Sequence, residues 1–279
     1  MTAPHHDSLC WTDGQVRRLS DLRIDPRDRG FTLGDGLFET MLWTERRIRF
    51  FDDHMARLSH SADMLDLAIP ATPDEIETGL TALVRQSGLD RAALRLTLSR
   101  GPGPRGLALP EEPQPRLLAT VAPCPTAFDP VSVCLVDVAR AVGAPSARFK
   151  TLSYLDQVMA LNLARAAGAD EALMRGHGDR IACASSANVL IRLEGVWLTP
   201  PVADGALPGI VRGRLIRAGL IDEKSLGVAD LNRCDAACLT NALIGVRPVH
   251  QLNGRKLAVV ETDILGMRDA LANGSAART

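Results

Sequence analysis

The sequence predicts an α+β protein built from two domains, and three observations carry that prediction. Short apolar strands and amphipathic helices are interleaved along the chain. The stretch Pro123-Cys124-Pro125-Thr126-Ala127-Phe128-Asp129-Pro130 interrupts them near the middle, and so many prolines cannot continue a central strand. Few connections are long enough for repeated parallel crossovers, so mixed or antiparallel sheets with packed helices are expected. The expected division is a smaller N-terminal α/β domain over 1–122, a linker over 123–130 and a larger C-terminal domain over 131–279.

Cys10 to Leu19 reads as two strands turning at Asp13-Gly14, and Phe38 to Trp43 as a third. Phe51 to Leu67 is a helix, because Met55, Leu58, Ala62, Met64 and Leu65 fall mostly on one side. Pro73 to Ser87 is another; Thr72-Pro73-Asp74-Glu75 places a proline and acids in its first turn. Ala92 to Ser99 and Arg116 to Ala122 read as strands around a Gly/Pro-rich loop, Gly101 to Pro115. After the linker come a strand, Val131 to Ala139, and a helix ending at Ala167. Short strands follow at Glu171 to Met174, Arg180 to Cys183, Asn188 to Glu194 and Val196 to Leu198, then a helix from Pro208 to Leu220.

Composition removes several function classes. The formal net charge is -1 with no long single-sign run, which argues against nucleic acid or anionic membrane as a partner. Apolar runs such as Leu117 to Ala122 fall far short of a membrane span. Met1 to Asp7 has neither a basic nor an apolar signal region, and His5-His6 reads as part of a polar terminus, so a cytoplasmic protein is expected. The six cysteines show no C-x-x-C spacing and no accompanying histidine cluster. Free thiols and no metal site are expected.

Lys150 stands out by its setting, Arg148-Phe149-Lys150-Thr151-Leu152-Ser153-Tyr154-Leu155-Asp156-Gln157-Val158. An extended entry, a lysine and then at once an apolar-periodic helix would hold an amine at a fixed, partly desolvated point. Desolvation lowers an amine's pKa and makes Lys150 a Schiff-base candidate. The alternative is a surface lysine.

Several segments, taken in order, resemble the class IV aminotransferase family, the fold-type IV enzymes that use pyridoxal 5'-phosphate. They are Arg29-Gly30-Phe31-Thr32-Leu33-Gly34-Asp35-Gly36-Leu37-Phe38-Glu39-Thr40, then His54-Met55-Ala56-Arg57-Leu58, and the Lys150 segment. Ala187-Asn188, Thr199-Pro200-Pro201 and Leu207-Pro208-Gly209-Ile210-Val211-Arg212 follow. The resemblance runs from about Trp11 to Val249 and implies a two-domain fold like that of D-amino-acid aminotransferase. Within the family, Ser99 to Gly106, Lys150 to Val158 and Thr240-Asn241-Ala242-Leu243 lean toward aminodeoxychorismate lyase.

The resemblance implies that Lys150 holds the cofactor and shuttles protons at the substrate carbon. Arg57 is the expected phosphate anchor, since guanidinium matches phosphate in a bidentate fork. A second anchor is the helix start at Gly209, Ile210 and Val211, whose N–H groups point at an anion. Asn188, Thr240 and Asn241 would complete the cofactor site. Tyr154, the only tyrosine, is expected one turn past Lys150, where it either reaches the cofactor or packs the helix. Phe38 and the loop arginines Arg100 and Arg105 are the substrate-binding candidates. Cys183 departs from the family, because it stands five residues before Asn188, where the family has the glutamate that holds the pyridine nitrogen protonated. Either chemistry less dependent on the ring is favoured, another acid reaches the nitrogen, activity is reduced, or Cys183 is a small core thiol.

The resemblance thus points first to a pyridoxal-phosphate lyase that forms 4-aminobenzoate in folate biosynthesis. A transaminase for branched-chain or D-amino acids is the second possibility, and a weakened cofactor-binding paralogue the third. The expected partners are a small amine or amino-acid substrate and a second copy of the chain in a homodimer, with the Gly101 to Pro115 loop reaching the neighbouring site.

Overall fold

The chain changes partners within its proline-rich stretch. The computed structural model describes residues 8–273, so the terminus carrying His5 and His6 lies outside the described residues. Met1–Thr126 and Lys150–Ser153 form one unit, and Ala127–Phe149 with Tyr154–Thr279 form the other. The lysine segment therefore groups with the first unit, not with the second, where the sequence reading put it.

In the first unit β1 (Leu9–Thr12) and β2 (Gln15–Arg18) form a hairpin, followed by α1 (Arg29–Leu33), β3 (Gly36–Thr44), β4 (Arg47–Ile48), α2 (Phe51–Met64), α3 (Pro73–Ser87), β5 (Ala92–Ser99) and β6 (Arg116–Pro123). The sheet order is β2-β1-β6-β5-β3-β4, and every pairing is antiparallel. Helix α3 begins with a capping box in which Thr72 and Glu75 satisfy each other's backbone N–H groups. It packs so closely on β1 that a methyl group at Gly79 would meet the Trp11 indole at 2.2 Å. Helix α2 stops at Met64 rather than Leu67, because Asp66 turns left-handed at φ 48.

Strand alternation sorts the residues of this sheet. Leu37, Met41, Leu94, Leu96 and Leu98 are fully buried. The register places Phe38, Thr40, Arg95, Thr97 and Thr120 on the other face, which is partly open.

The second unit comprises β7 (Val131–Ala139), α4 (Pro145–Arg148), α5 (Leu155–Ala166), β8 (Glu171–Arg175), β9 (Ile181–Ala184), β10 (Asn188–Leu193) and β11 (Val196–Thr199). Then come α6 (Ile210–Arg217), β12 (Asp222–Glu223), α7 (Val228–Arg233), β13 (Ala236–Asn241), β14 (Gly245–Leu252), β15 (Arg255–Lys256) and α8 (Glu261–Asn273). The sheet is mixed, in the order β12-β11-β10-β13-β14-β7-β8-β9, with β15 on β14. Its core is aliphatic, with Val131, Leu173, Ile181, Val189, Ile191, Leu239 and Val249 packed together. Helix α6 is shorter than the expected Pro208 to Leu220. Gly209 is still extended, and Gly219 at φ 68 closes the helix while Leu220 N–H bonds to the Leu215 carbonyl. Helix α5 buries Gln157, Ala160 and Ala164, and its apolar stripe Leu155, Val158, Met159 and Leu163 faces outward.

Candidate active site

Lys150 lies along the edge of β3. Its carbonyl accepts from Phe38 N–H at 2.9 Å, Leu152 N–H donates to the Gly36 carbonyl at 3.0 Å, and Thr151 pairs with Leu37. Residues 150–152 thus add a short antiparallel rung to the sheet. Opposite residues in such a pair share a face, and the Lys150 Nζ lies over the Phe38 ring, 4.1 Å from its centroid. The sequence reading is corrected on both flanks. Phe149 enters extended as expected but follows a helical turn, α4, and α5 starts only at Leu155. Tyr154 is the residue before that helix, so it does not share a helical turn with Lys150.

The same ring carries a second cation. The Arg95 guanidinium sits over Phe38 at 3.7 Å, at an exposed position among Thr40, Thr97 and Thr120. Sequence reasoning missed Arg95. The available signal was its alternation with buried Leu94 and Leu96, which puts a charge on the face that carries Lys150.

Arg57 is paired before any ligand arrives. It donates from Nε to Glu39 Oε1 at 2.8 Å and from Nη2 to Oε2 at 2.6 Å, and His54 Nδ1 lies 2.7 Å from the same Oε2. Burial pushes the Glu39 carboxyl up. The Arg57 charge and the hydrogen bonds from His54 and Arg57 outweigh it and hold the group down at about 2.

Arg100, expected to bind a substrate carboxylate, is a buried brace instead. It donates from Nε to Asp35 at 2.9 Å and from Nη1 and Nη2 to the carbonyls of Asp66 and Leu65 at 2.7 and 2.9 Å. Arg29 shares the Asp35 carboxylate and also bonds the carbonyls of Gly106, Leu107 and Ala108. Arg29, held on the carboxylate it shares with Arg100, therefore ties down the Gly106 to Ala108 part of the Gly101 to Pro115 loop. Arg105 is exposed in that loop.

In the second unit Asn188 and Thr240 face each other across β10 and β13. Asn188 donates to the Leu207 carbonyl at 2.9 Å, and its Oδ1 would lie 1.9 Å from a methyl group on Gly209. Only glycine fits there. Gly209 opens α6, which has no side-chain cap, so the N–H groups of its first turn, Ile210 and Val211 among them, lack intrahelical partners. Thr240 is fully buried on the strand packed beside α6, and among the described residues its Oγ1 has no hydrogen-bond partner. An orphan hydroxyl and an uncapped helix start suit a phosphate. The Asn241 side chain is engaged in its own turn. Its Oδ1 accepts from Leu243 and Ile244 N–H at 2.9 Å each, and its amide donates to the Ser186 carbonyl.

Cys183 lies on β9, buried among Val136, Ala160, Ala164 and Met174. Burial pushes its thiol up to about 11; the nearby Arg140 charge acts against this and Glu171 adds to it. The sulfur is therefore a neutral thiol at ordinary pH. The Glu171 carboxylate is taken by the hydroxyls of Ser185 and Ser186 and by the N–H of Ala172.

The comparisons with known proteins agree with this geometry. The family described as "Amino-transferase class IV" matches residues 36–252. A protein named "Putative branched-chain-amino-acid aminotransferase" from Methanocaldococcus jannaschii is 29% identical over 253 residues, 88% of each chain. A D-alanine aminotransferase of Listeria monocytogenes is 26% identical over 249 residues, 85% of each chain. A solved structure named "Putative 4-amino-4-deoxychorismate lyase", from Legionella pneumophila, superposes with a TM-score of 0.82 at 28% identity, covering 90% of this chain and 97% of that one. A partly buried amine beside an aromatic ring and an uncapped helix start with an orphan hydroxyl both fit pyridoxal phosphate, the cofactor of this family. The chain belongs to the class IV aminotransferases, and it is an enzyme that works with pyridoxal phosphate.

Proposed function

We propose that the protein is a lyase that releases pyruvate from aminodeoxychorismate and leaves 4-aminobenzoate. The observation that carries this reading is the buried, neutral thiol of Cys183 at the position where the family places a carboxylate. Pyridoxal phosphate supplies a carbonyl for the substrate amine and a ring that draws electrons from the carbon bearing it. In this reading Lys150 carries the cofactor and Arg57 is its phosphate anchor. Once displaced, the Lys150 ε-amine takes the proton from the carbon that bears the substrate nitrogen. The electron pair left behind forms a ring double bond and expels the enolpyruvate oxygen from the neighbouring carbon. Enolpyruvate takes up a proton as pyruvate, and the carbocycle becomes aromatic. The two products together hold all the atoms of the substrate, so no amino acceptor is consumed.

A transaminase must stabilise the same electron pair until a proton returns at another atom, and a thiol is a poor counter-ion for the ring nitrogen that helps to do so. An elimination discharges the pair at once into the breaking C–O bond. Arg95 and Arg105 offer cations to the two carboxylates of this substrate, in place of the engaged Arg100. Amino transfer to a 2-oxo acid is the second reading, and the aminotransferase names of the two sequence relatives favour it.

The purified protein is expected to convert aminodeoxychorismate to equal amounts of pyruvate and 4-aminobenzoate with no 2-oxo acid added. Amino-acid half-reactions without any pyruvate release would put the second reading in place of the first. Cofactor binding without either reaction would point to a catalytically weakened paralogue.

A homodimer belongs to this reading. The outward stripe of α5, with Leu155 at 69% exposure, and the loop residue Leu107 at 82% are large apolar surfaces for a single chain to leave in water. Sedimentation at micromolar concentration is expected to give twice the chain mass of 29.9 kDa. A fully active monomer would overturn the assembly.

A further inference from the structure

Glu39 and His54 do not touch any position argued above to meet the substrate, yet they surround Arg57. His54 and Arg57 are three residues apart on α2 and share its inner face, and Glu39 projects from β3 toward them. Glu39 is 1% exposed and His54 fully buried. The carboxylate takes the Nε and Nη2 edge of the guanidinium with both of its oxygens. His54 reaches Oε2 through Nδ1, and among the described residues its Nε2 has no hydrogen-bond partner, which leaves Glu39 as the ring's polar contact there. A guanidinium is planar and rigid, so holding one edge fixes the direction of the other.

We infer that Glu39 and His54 are positioning residues that orient the Arg57 guanidinium for the cofactor phosphate. This rests on the reading that Arg57 binds that phosphate. It also makes a prediction opposite in sign to simple charge counting. Glu39 is an anion beside an anion-binding arginine. If net charge decided affinity, removing it would tighten phosphate binding. If orientation decides, removing it loosens binding, because glutamine offers a single acceptor oxygen where the carboxylate offers two.

The test compares dissociation constants of the apoenzyme for pyridoxal phosphate and for pyridoxal, which lacks the phosphate. Glu39→Gln is expected to weaken pyridoxal phosphate about tenfold and to leave pyridoxal unchanged. Arg57→Ala should do at least as much, and the double variant should be no worse than Arg57→Ala alone, because both changes remove one interaction. If Glu39→Gln does not fold, His54→Leu removes only the second donor to Glu39 and carries the same comparison. Equal loss for both ligands, or unchanged or tighter binding of pyridoxal phosphate by Glu39→Gln, would overturn the positioning role. An Arg57→Ala variant that binds pyridoxal phosphate as tightly as the parent would instead remove the phosphate reading beneath it.

Discussion

Lys150→Ala is expected to remove the borohydride-reducible link to the cofactor, to abolish its visible absorbance band and to lower turnover at least ~10³-fold. The expectation rests on scarcity as well as placement. The chain has three lysines, Lys150, Lys224 and Lys256, and the other two are exposed. Lys256 also sits in a strand, β15, but of the three only Lys150 is partly buried, and it is tied to β3 through its own carbonyl and the pairing of Thr151 with Leu37. That backbone tether fixes where the side chain begins, and the Phe38 ring under Nζ fixes where it ends. The variant keeps both backbone bonds and the ring, so the fold should survive. Reduction with borohydride followed by peptide mapping is the direct check. An adduct that persists in the variant at Lys224 or Lys256 would remove Lys150 from its role.

The first unit was more legible in the sequence than the site it carries. Its strands and helices announce themselves by period and by caps, and Thr72-Pro73-Asp74-Glu75 marks the start of α3 to the residue. Arg57 and Arg100 show what remains hidden. Both were read as anion binders, because composition shows a guanidinium but not the acceptors around it. Those acceptors come from far along the chain: Glu39 lies 18 residues from Arg57, and Asp35 lies 65 residues from Arg100. Helix α5 teaches a related lesson. The apolar stripe Leu155, Val158, Met159 and Leu163 has helical spacing, but spacing does not say which way a face points, and this one points outward. The helix start after Pro208-Gly209 was readable because a proline and a glycine before a helix carry their own geometry. The buried, unpartnered Thr240 hydroxyl beside it needed the sheet register to find.

Cys183→Glu is expected to speed amino-acid half-reactions about 100-fold while changing pyruvate elimination much less. A carboxylate beside a cation shifts its pKa by roughly one to three units, and each unit is worth about 1.4 kcal/mol, or tenfold. In the parent protein the thiol is held neutral by burial, so it cannot act as a counter-ion for a protonated ring nitrogen. Glutamate at this position can do so, and amino transfer depends on it more than elimination does. The surroundings set the cost. Val136, Ala160, Ala164 and Met174 pack against the thiol, and a carboxylate among them is unfavourable unless it finds a cation. The Arg140 charge is already felt at Cys183, but Arg140 is occupied with the Ala147 and Gly205 carbonyls and the Gln157 side chain. The apo form of the variant should therefore be less stable than the parent, and cofactor binding should restore much of the loss by mass action. Single-turnover absorbance with one amino donor, read alongside thermal unfolding with and without pyridoxal phosphate, separates the possibilities. Faster half-reactions with cofactor-dependent stability place Cys183 at the ring nitrogen. An unchanged spectrum, unchanged rates and a loss of stability that the cofactor does not repair would make Cys183 a core thiol packed against α5, and the preference for elimination would lose its basis.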